Sequence, residues 1–137
     1  MGKSKSKVQN DPLISLTQRD NYAVMYEGAM THERFKKLNP SAKNLYFYCL
    51  LQRKSKKGRD NLYNFNVQYG KNYDHEKGYF TMPAKRIKEF GLDAGTCHRR
   101  AFKELSKNGF IEVVENNRLS HRENIYKFST KWKNLKD

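Results

Sequence analysis

Between Pro40 and Lys54 the apolar side chains recur at helical spacing. Ala42, Leu45, Cys49 and Gln52 fall on one stripe, with Tyr46 and Leu50 beside it, which predicts a helix with much of its surface in a core. Asn39 is placed to cap it, and Pro40 suits a first position whose N–H needs no partner. Leu38, just before the cap, can pack back on the first turn. Upstream, residues 21–26 (NYAVMY) are aromatic and β-branched enough for a short strand, and Ala29 to Lys37 reads as a short helix carrying Met30 and Phe35. Downstream, the basic run from Arg53 to Arg59 ends the central helix. Residues 60–82 then alternate weakly, with Leu62, Asn64 and Asn66 against Tyr63, Phe65 and Val67. That pattern predicts a hairpin or a long ordered loop.

The second half is more sharply punctuated. Gly78 to Met82 reads as a short strand, and Pro83 opens a helix whose apolar face is Ala84, Ile87 and Phe90. Gly91 is placed to end that helix in a left-handed turn, and Leu92 to Gly95 form a tight connection. Thr96 can cap the next helix, which runs to Asn108-Gly109 and buries His98, Ala101, Phe102 and Leu105 at i, i+3, i+4 and i+7. Phe110 to Glu115 and Ile125 to Thr130 are strand-like, and the stretch between them, 116–124, is polar and basic.

This order of helix, turn, helix, strand, loop, strand predicts an α+β protein of the winged helix-turn-helix class: a three-helix core, a small sheet and a wing. An N-terminal extension and a Tyr/Asn-rich insertion at 55–79 are added to it. Residues 1–20 are expected to be a flexible basic arm, 21–133 the domain, and 134–137 a short tail.

Charge narrows the partners. The 137 residues carry 28 Lys+Arg against 14 Asp+Glu, a formal net charge of +14. The excess is +8 over residues 1–80 and +6 over 81–137, so a detachable tail does not account for it. A folded surface this basic implies an anionic partner. Two cysteines, Cys49 and Cys97, make a poor disulfide framework and suit a reducing cytoplasm. No apolar run reaches transmembrane length and no signal-peptide stretch is visible, so a soluble, intracellular protein is expected. MGKSKS fits the N-myristoylation pattern through Gly2 and Ser6, but the pattern is loose and a plain basic arm is the simpler reading.

The candidate site lies on the 96–108 helix. With one face buried, Thr96, Cys97, Arg99, Arg100, Lys103 and Lys107 project elsewhere. A major groove admits such a helix and offers guanine O6 and N7 to an arginine. Arg118, His121 and Arg122 at the tip of the 116–124 wing can reach a minor groove or flanking phosphates. Lys85 and Arg86 on the preceding helix, with Lys88, can hold the backbone, and Lys3, Lys5 and Lys7 of the arm can add affinity without sequence information. Double-stranded DNA is the expected partner. A homodimer through Trp132 and Leu135 is left open, with core packing the preferred role for Trp132.

The residues also resemble a known group. Leu38, Ala42, Lys43, Leu45 and Tyr46 match a "Leu-Ser-x-x-Ala-Lys-x-Leu-Tyr" helix opening. Ala101, Phe102, Lys103, Glu104 and Leu105, followed by Gly109, Phe110 and Ile111, match an "Ala-Leu-Lys-Glu-Leu-x-x-x-Gly-Leu-Ile" block. Over about residues 21–130 the chain resembles winged-helix proteins of plasmids and phages, above all the DNA-binding N-terminal domains of replication initiators of low-GC Gram-positive bacteria. The resemblance implies a bacterial DNA-binding protein, associated with the nucleoid or a plasmid, acting in replication initiation, transcription regulation or DNA transfer. His98 stands where the group has a small β-branched residue, and the 55–78 stretch has no counterpart. Initiators usually continue into a further domain, whereas this chain stops at Asp137, which leaves room for a regulator or an accessory protein at an origin.

Nothing suggests an enzyme. His32, His75, His98 and His121 are scattered without metal-ligand spacing, neither cysteine has a nearby partner, and no phosphate-binding glycine loop opens a helix. No cofactor, metal or small-molecule substrate is expected. Two other readings remain. Tyr63, Phe65, Tyr69 and Tyr73, interleaved with Asn and Lys, could stack on unpaired RNA bases. A winged helix can also serve as a protein-interaction module, though the exposed face of the 96–108 helix shows no apolar anchor beyond Cys97.

Overall fold

The computed structural model describes residues 23–92 and 96–134, with the Thr96 and Cys97 side chains outside the description. Residues 1–22, 93–95 and 135–137, on which the expected basic arm, most of the expected 92–95 connection and Leu135 fall, lie outside the described residues. The chain forms α1 (Glu27–Met30), α2 (Glu33–Lys36), α3 (Pro40–Lys54), α4 (Lys56–Tyr69), β1 (Tyr79–Phe80), α5 (Ala84–Glu89), α6 (Thr96–Lys107), β2 (Ile111–Glu115) and β3 (Ile125–Phe128). Short 3₁₀ turns stand at His75–Lys77, Arg118–Ser120 and Lys131–Lys133. The result is a mixed α+β fold: six α-helices among the described residues and a three-stranded antiparallel sheet ordered β1-β3-β2. Phe80 pairs with Tyr126, and Val113 with Tyr126 from the other side. An irregularity after Val113 brings Glu115 opposite Ile125.

The helix over 40–54 forms with the expected bounds. The Asn39 side chain accepts from the Ala42 N–H at 2.8 Å. Its own N–H donates to Glu104 Oε1 of α6 at 2.9 Å, and its amide nitrogen to the other oxygen of that carboxylate. The start of α3 is thereby tied to α6. Both helices close on one core, in which Ala42, Leu45, Cys49, Phe102, Leu105 and Phe110 are buried. Phe102 stacks on Tyr126 of β3 with centroids 4.3 Å apart, so α6 lies directly on the sheet. At the far end Trp132 stacks on Phe110 and meets the edge of His32, which agrees with core packing.

Three expectations are corrected. Residues 23–26 form no strand; the Tyr26 carbonyl instead accepts from the Ala29 and Met30 N–H groups and opens α1. Strand-like composition without a partner ladder does not make a strand. The helix expected over 29–37 is two helices, because His32 caps a fresh start by accepting the Arg34 N–H at 3.1 Å. The third correction is the largest. Residues 56–69 are neither hairpin nor loop but a helix of 14 residues.

That helix begins at Ser55, which ends α3 and caps α4 by accepting the Gly58 N–H at 3.1 Å. Its apolar period is helical: Leu62, Phe65 and Tyr69 pack with Ile125 of β3, Tyr73 and Tyr79 as a second, smaller core. Tyr63 and Val67 face solvent, so the alternation in the sequence was a coincidence of composition. Gly70, at φ +65°, terminates the helix. Asn66 then bonds both backbone groups of Tyr73 and closes the return. Further on, Gly91 is left-handed at φ +74°, as expected of a helix stop, whereas Pro83 sits one place earlier than expected, as the cap of α5. No helix among the described residues is long and apolar enough to cross a membrane.

Burial of the aromatic layer has a pH signature. Desolvation pushes the Tyr46 and Tyr126 hydroxyls from an ordinary 10.0 up to about 12. Their folded values lie above the unfolded one, so the stability they contribute is whole below pH 10 and is lost as pH rises through about 12. The melting temperature is expected to fall steeply across that window. Part of the tyrosinate absorbance should appear only together with loss of circular dichroism; full tyrosinate absorbance in a still-folded protein would contradict it.

Candidate nucleic-acid interface

The buried face of α6 is the expected one. Ala101, Phe102 and Leu105 are buried, and His98 is partly buried with its ring edge-on to Phe102 at 4.9 Å. The helix meets the core through these positions, so Arg99, Arg100, Lys103 and Lys107 are left on its exposed side.

Between α6 and the β2–β3 loop lies a groove of about 680 Å³. Arg99, Lys103 and Lys107 line it from the helix, and Arg118, His121 and Arg122 from the loop. Phe102, Val113 and Tyr126 are among its apolar lining, and Glu123 is the one carboxylate there. Partial desolvation raises the pKa of that carboxyl above its ordinary value. Some cations elsewhere are paired: Lys56 with Asp60 at 2.9 Å, Lys57 with Glu89 at 3.1 Å and Lys131 with Glu112 at 3.0 Å. Among the described residues no carboxylate lies within ion-pair distance of Arg99, Lys103, Lys107 or Arg118. The groove thus presents unneutralised positive charge from two separate elements to an incoming anion.

The remaining expected residues are placed differently. Arg100 is exposed on α6 but outside the groove lining, and Lys85 is exposed on α5 next to Ala84, which does line it. Thr96 and Cys97 occupy the first turn of α6, and their side chains lie outside the description. Arg86 is turned inward. Its side chain is only 12% exposed. Its Nε donates to Gln52 Oε1 at 2.8 Å and its Nη2 to Ser55 Oγ at 3.3 Å, while the guanidinium lies 4.3 Å over the Phe90 ring. It ties α5 to the α3–α4 corner and has no free face for a phosphate.

The β2–β3 loop is held by its own amides. The Asn117 N–H donates to Asn124 Oδ1 at 2.7 Å, and Asn117 Nδ2 to the Glu123 carbonyl at 2.8 Å. Ser120 Oγ donates to the Asn117 carbonyl at 3.0 Å, and His121 takes a left-handed backbone at φ 58°. From outside, Tyr73 donates its hydroxyl to Glu115 and Lys71 stands 3.7 Å from the same carboxylate. Arg122 lies 4.5 Å over the Tyr69 ring. The hydrogen bond from Tyr73, followed by that from Asn117, lowers the Glu115 pKa; burial first, then that carboxylate, pushes Tyr73 up to about 12. Tyr69, Tyr73, Glu115, Asn117 and Asn124 are positioning residues: Tyr69 and Tyr73 were offered by the sequence only as stacking candidates for RNA, and Glu115, Asn117 and Asn124 were not singled out at all.

Among the described residues no three His, Cys, Asp or Glu side chains lie close enough to hold a metal ion. Cys49 is fully buried, and that burial raises its thiol pKa well above the ordinary value, so it is a packing residue rather than a nucleophile. Comparisons with models of known protein families, with curated proteins and with solved structures find no match to this chain.

Proposed function

We propose that the chain is a non-catalytic winged-helix protein that binds double-stranded DNA, with α6 as recognition helix and the β2–β3 loop as wing. The observation that carries the reading is the groove itself. Six of the basic residues expected to touch DNA come from two separate elements and line one concave surface. A helix inserted in a major groove would present Arg99 and Lys103 to base edges and phosphates, with Arg118 and His121 reaching the backbone or the adjacent minor groove. Arg100 and Lys85 flank that surface and suit phosphate contacts. The resemblance noted in the sequence suggests a regulator or an accessory protein at the origin of a plasmid or phage.

A single-stranded or RNA ligand is the less supported reading. Phe65 is buried, Tyr69 lies under Arg122 and Tyr73 is bonded to Glu115. Of the four aromatic residues that would stack on bases, only Tyr63 is both exposed and without such an engagement.

The test is a titration against a random duplex pool, with matched RNA and a salt series. One duplex motif is expected to be selected. The binding constant should fall with salt at a logarithmic slope of about −0.9 per phosphate neutralised. Arg99→Ala should cost about 1–3 kcal/mol and relax preference at one base pair, whereas Arg100→Ala should weaken all sequences alike. Preference for RNA, or binding with no motif selected, would overturn the reading.

A further inference from the structure

The tip of the β2–β3 loop carries a residue that the charge argument does not use. Leu119 is 95% exposed, the most exposed of the large apolar side chains among the described residues. A single exposed leucine is ordinary on a protein surface, and three further observations set this one apart. First, it is presented, not loose. It is the middle residue of the Arg118–Ser120 3₁₀ turn, closed by the Asn117, Ser120 and Asn124 hydrogen bonds and followed by left-handed His121. Second, it sits between cations: Arg118 precedes it, and Arg122 follows three residues on, after His121. Third, those neighbours line the groove against α6, so the tip stands beside the surface on which a duplex would lie.

We propose that Leu119 is an apolar wedge that enters the minor groove next to the recognition-helix footprint and partly unstacks one base step. The proposal rests on the duplex-binding reading and adds to it a contact that senses deformability. Cations bracketing an apolar tip suit a minor groove, whose walls are phosphates and whose floor is the stacked edges of bases. A leucine loses its exposed apolar surface there only against sugars or between bases. Unstacking is easiest at pyrimidine–purine steps such as TA and CA/TG. The protein therefore prefers sites with such a step under the wing, even though no polar group there reads a base edge.

The experiment uses the full chain, the duplex recovered from the random pool, and the permanganate reactivity of its thymines as a measure of unstacking. Wild-type protein is expected to make one thymine reactive at a TA or TG step flanking the protected segment. L119A should fold normally, keep the salt slope, bind about tenfold more weakly and abolish the reactive thymine. L119F should retain both, since phenylalanine also serves as a wedge. L119A binding as wild type does, or a wild-type complex with no reactive thymine, overturns the wedge and leaves duplex binding standing. Wild-type protein that selects no duplex overturns both.

Discussion

Replacing Gly58 with alanine is expected to cost about 3 kcal/mol or more, a large fraction of what holds a domain of this size together. A Cβ at that position would lie 1.5 Å from the Gln52 carbonyl oxygen and 2.5 Å from its carbon. Both belong to the last turn of α3, not to a side chain that could swing aside. Gln52 has no room to retreat: it is fully buried, its Nε2 donating to Asn61 Oδ1 and its side-chain Oε1 accepting from Arg86 Nε. The α3–α4 corner is therefore closed by the absence of a side chain. Urea unfolding followed by far-ultraviolet circular dichroism checks this, with Gly28→Ala as control. Nothing lies within 4 Å of a Cβ at Gly28, and alanine in α1 should be neutral or stabilising by up to about 1 kcal/mol. A Gly58→Ala protein with the wild-type midpoint would refute the corner as described.

Arg86→Ala is expected to be nearly as damaging, at about 3 kcal/mol, although arginine on a short helix looks like a surface residue. The substitution removes a charge-assisted bond to Gln52, a bond to Ser55 and the contact with Phe90 together. A buried acceptor left without its donor adds about 1–3 kcal/mol of that. Lysine should not rescue it, since one ammonium cannot reproduce a planar fork that donates in two directions while stacked on a ring. Lys85→Ala next to it should leave the melting temperature unchanged and, under the proposed function, weaken duplex binding slightly and uniformly. If Arg86→Ala instead melted like wild type and lost the affinity for duplex DNA proposed above, Arg86 would belong to the candidate interface after all.

What could be read from the chain followed the range of the forces involved. The start of α3 was legible because its determinants, Asn39 and Pro40, are adjacent to what they cap. The inward face of α6 was legible because Ala101, Phe102 and Leu105 repeat within two turns. Helix α4 was not, because Asn61, Asn64 and Asn66 are poor helix formers. It is held by burial of Leu62 and Phe65 against Ile125, some sixty residues later. Arg86 was misplaced for the same reason, since its partners Gln52 and Ser55 lie 34 and 31 residues away. At the interface the sequence separated the exposed side of α6 from the buried one, but it did not order Arg99 before Arg100. Adjacent residues on a helix point about 100° apart, and only the position of the loop shows that Arg99 lines the groove and Arg100 does not.

The chain has a single tryptophan, and its position makes the protein its own optical instrument. Trp132 is stacked on Phe110 with the His32 edge against it, at the rim of a second crevice lined by Tyr46 and Phe128, and it takes no part in the groove beside α6. Its fluorescence therefore reports whether the aromatic core is closed without responding directly to a ligand in the groove. Unfolding of any interface variant can be followed in the presence of bound nucleic acid. A loss of binding can then be separated from a loss of structure in one cuvette, without a label.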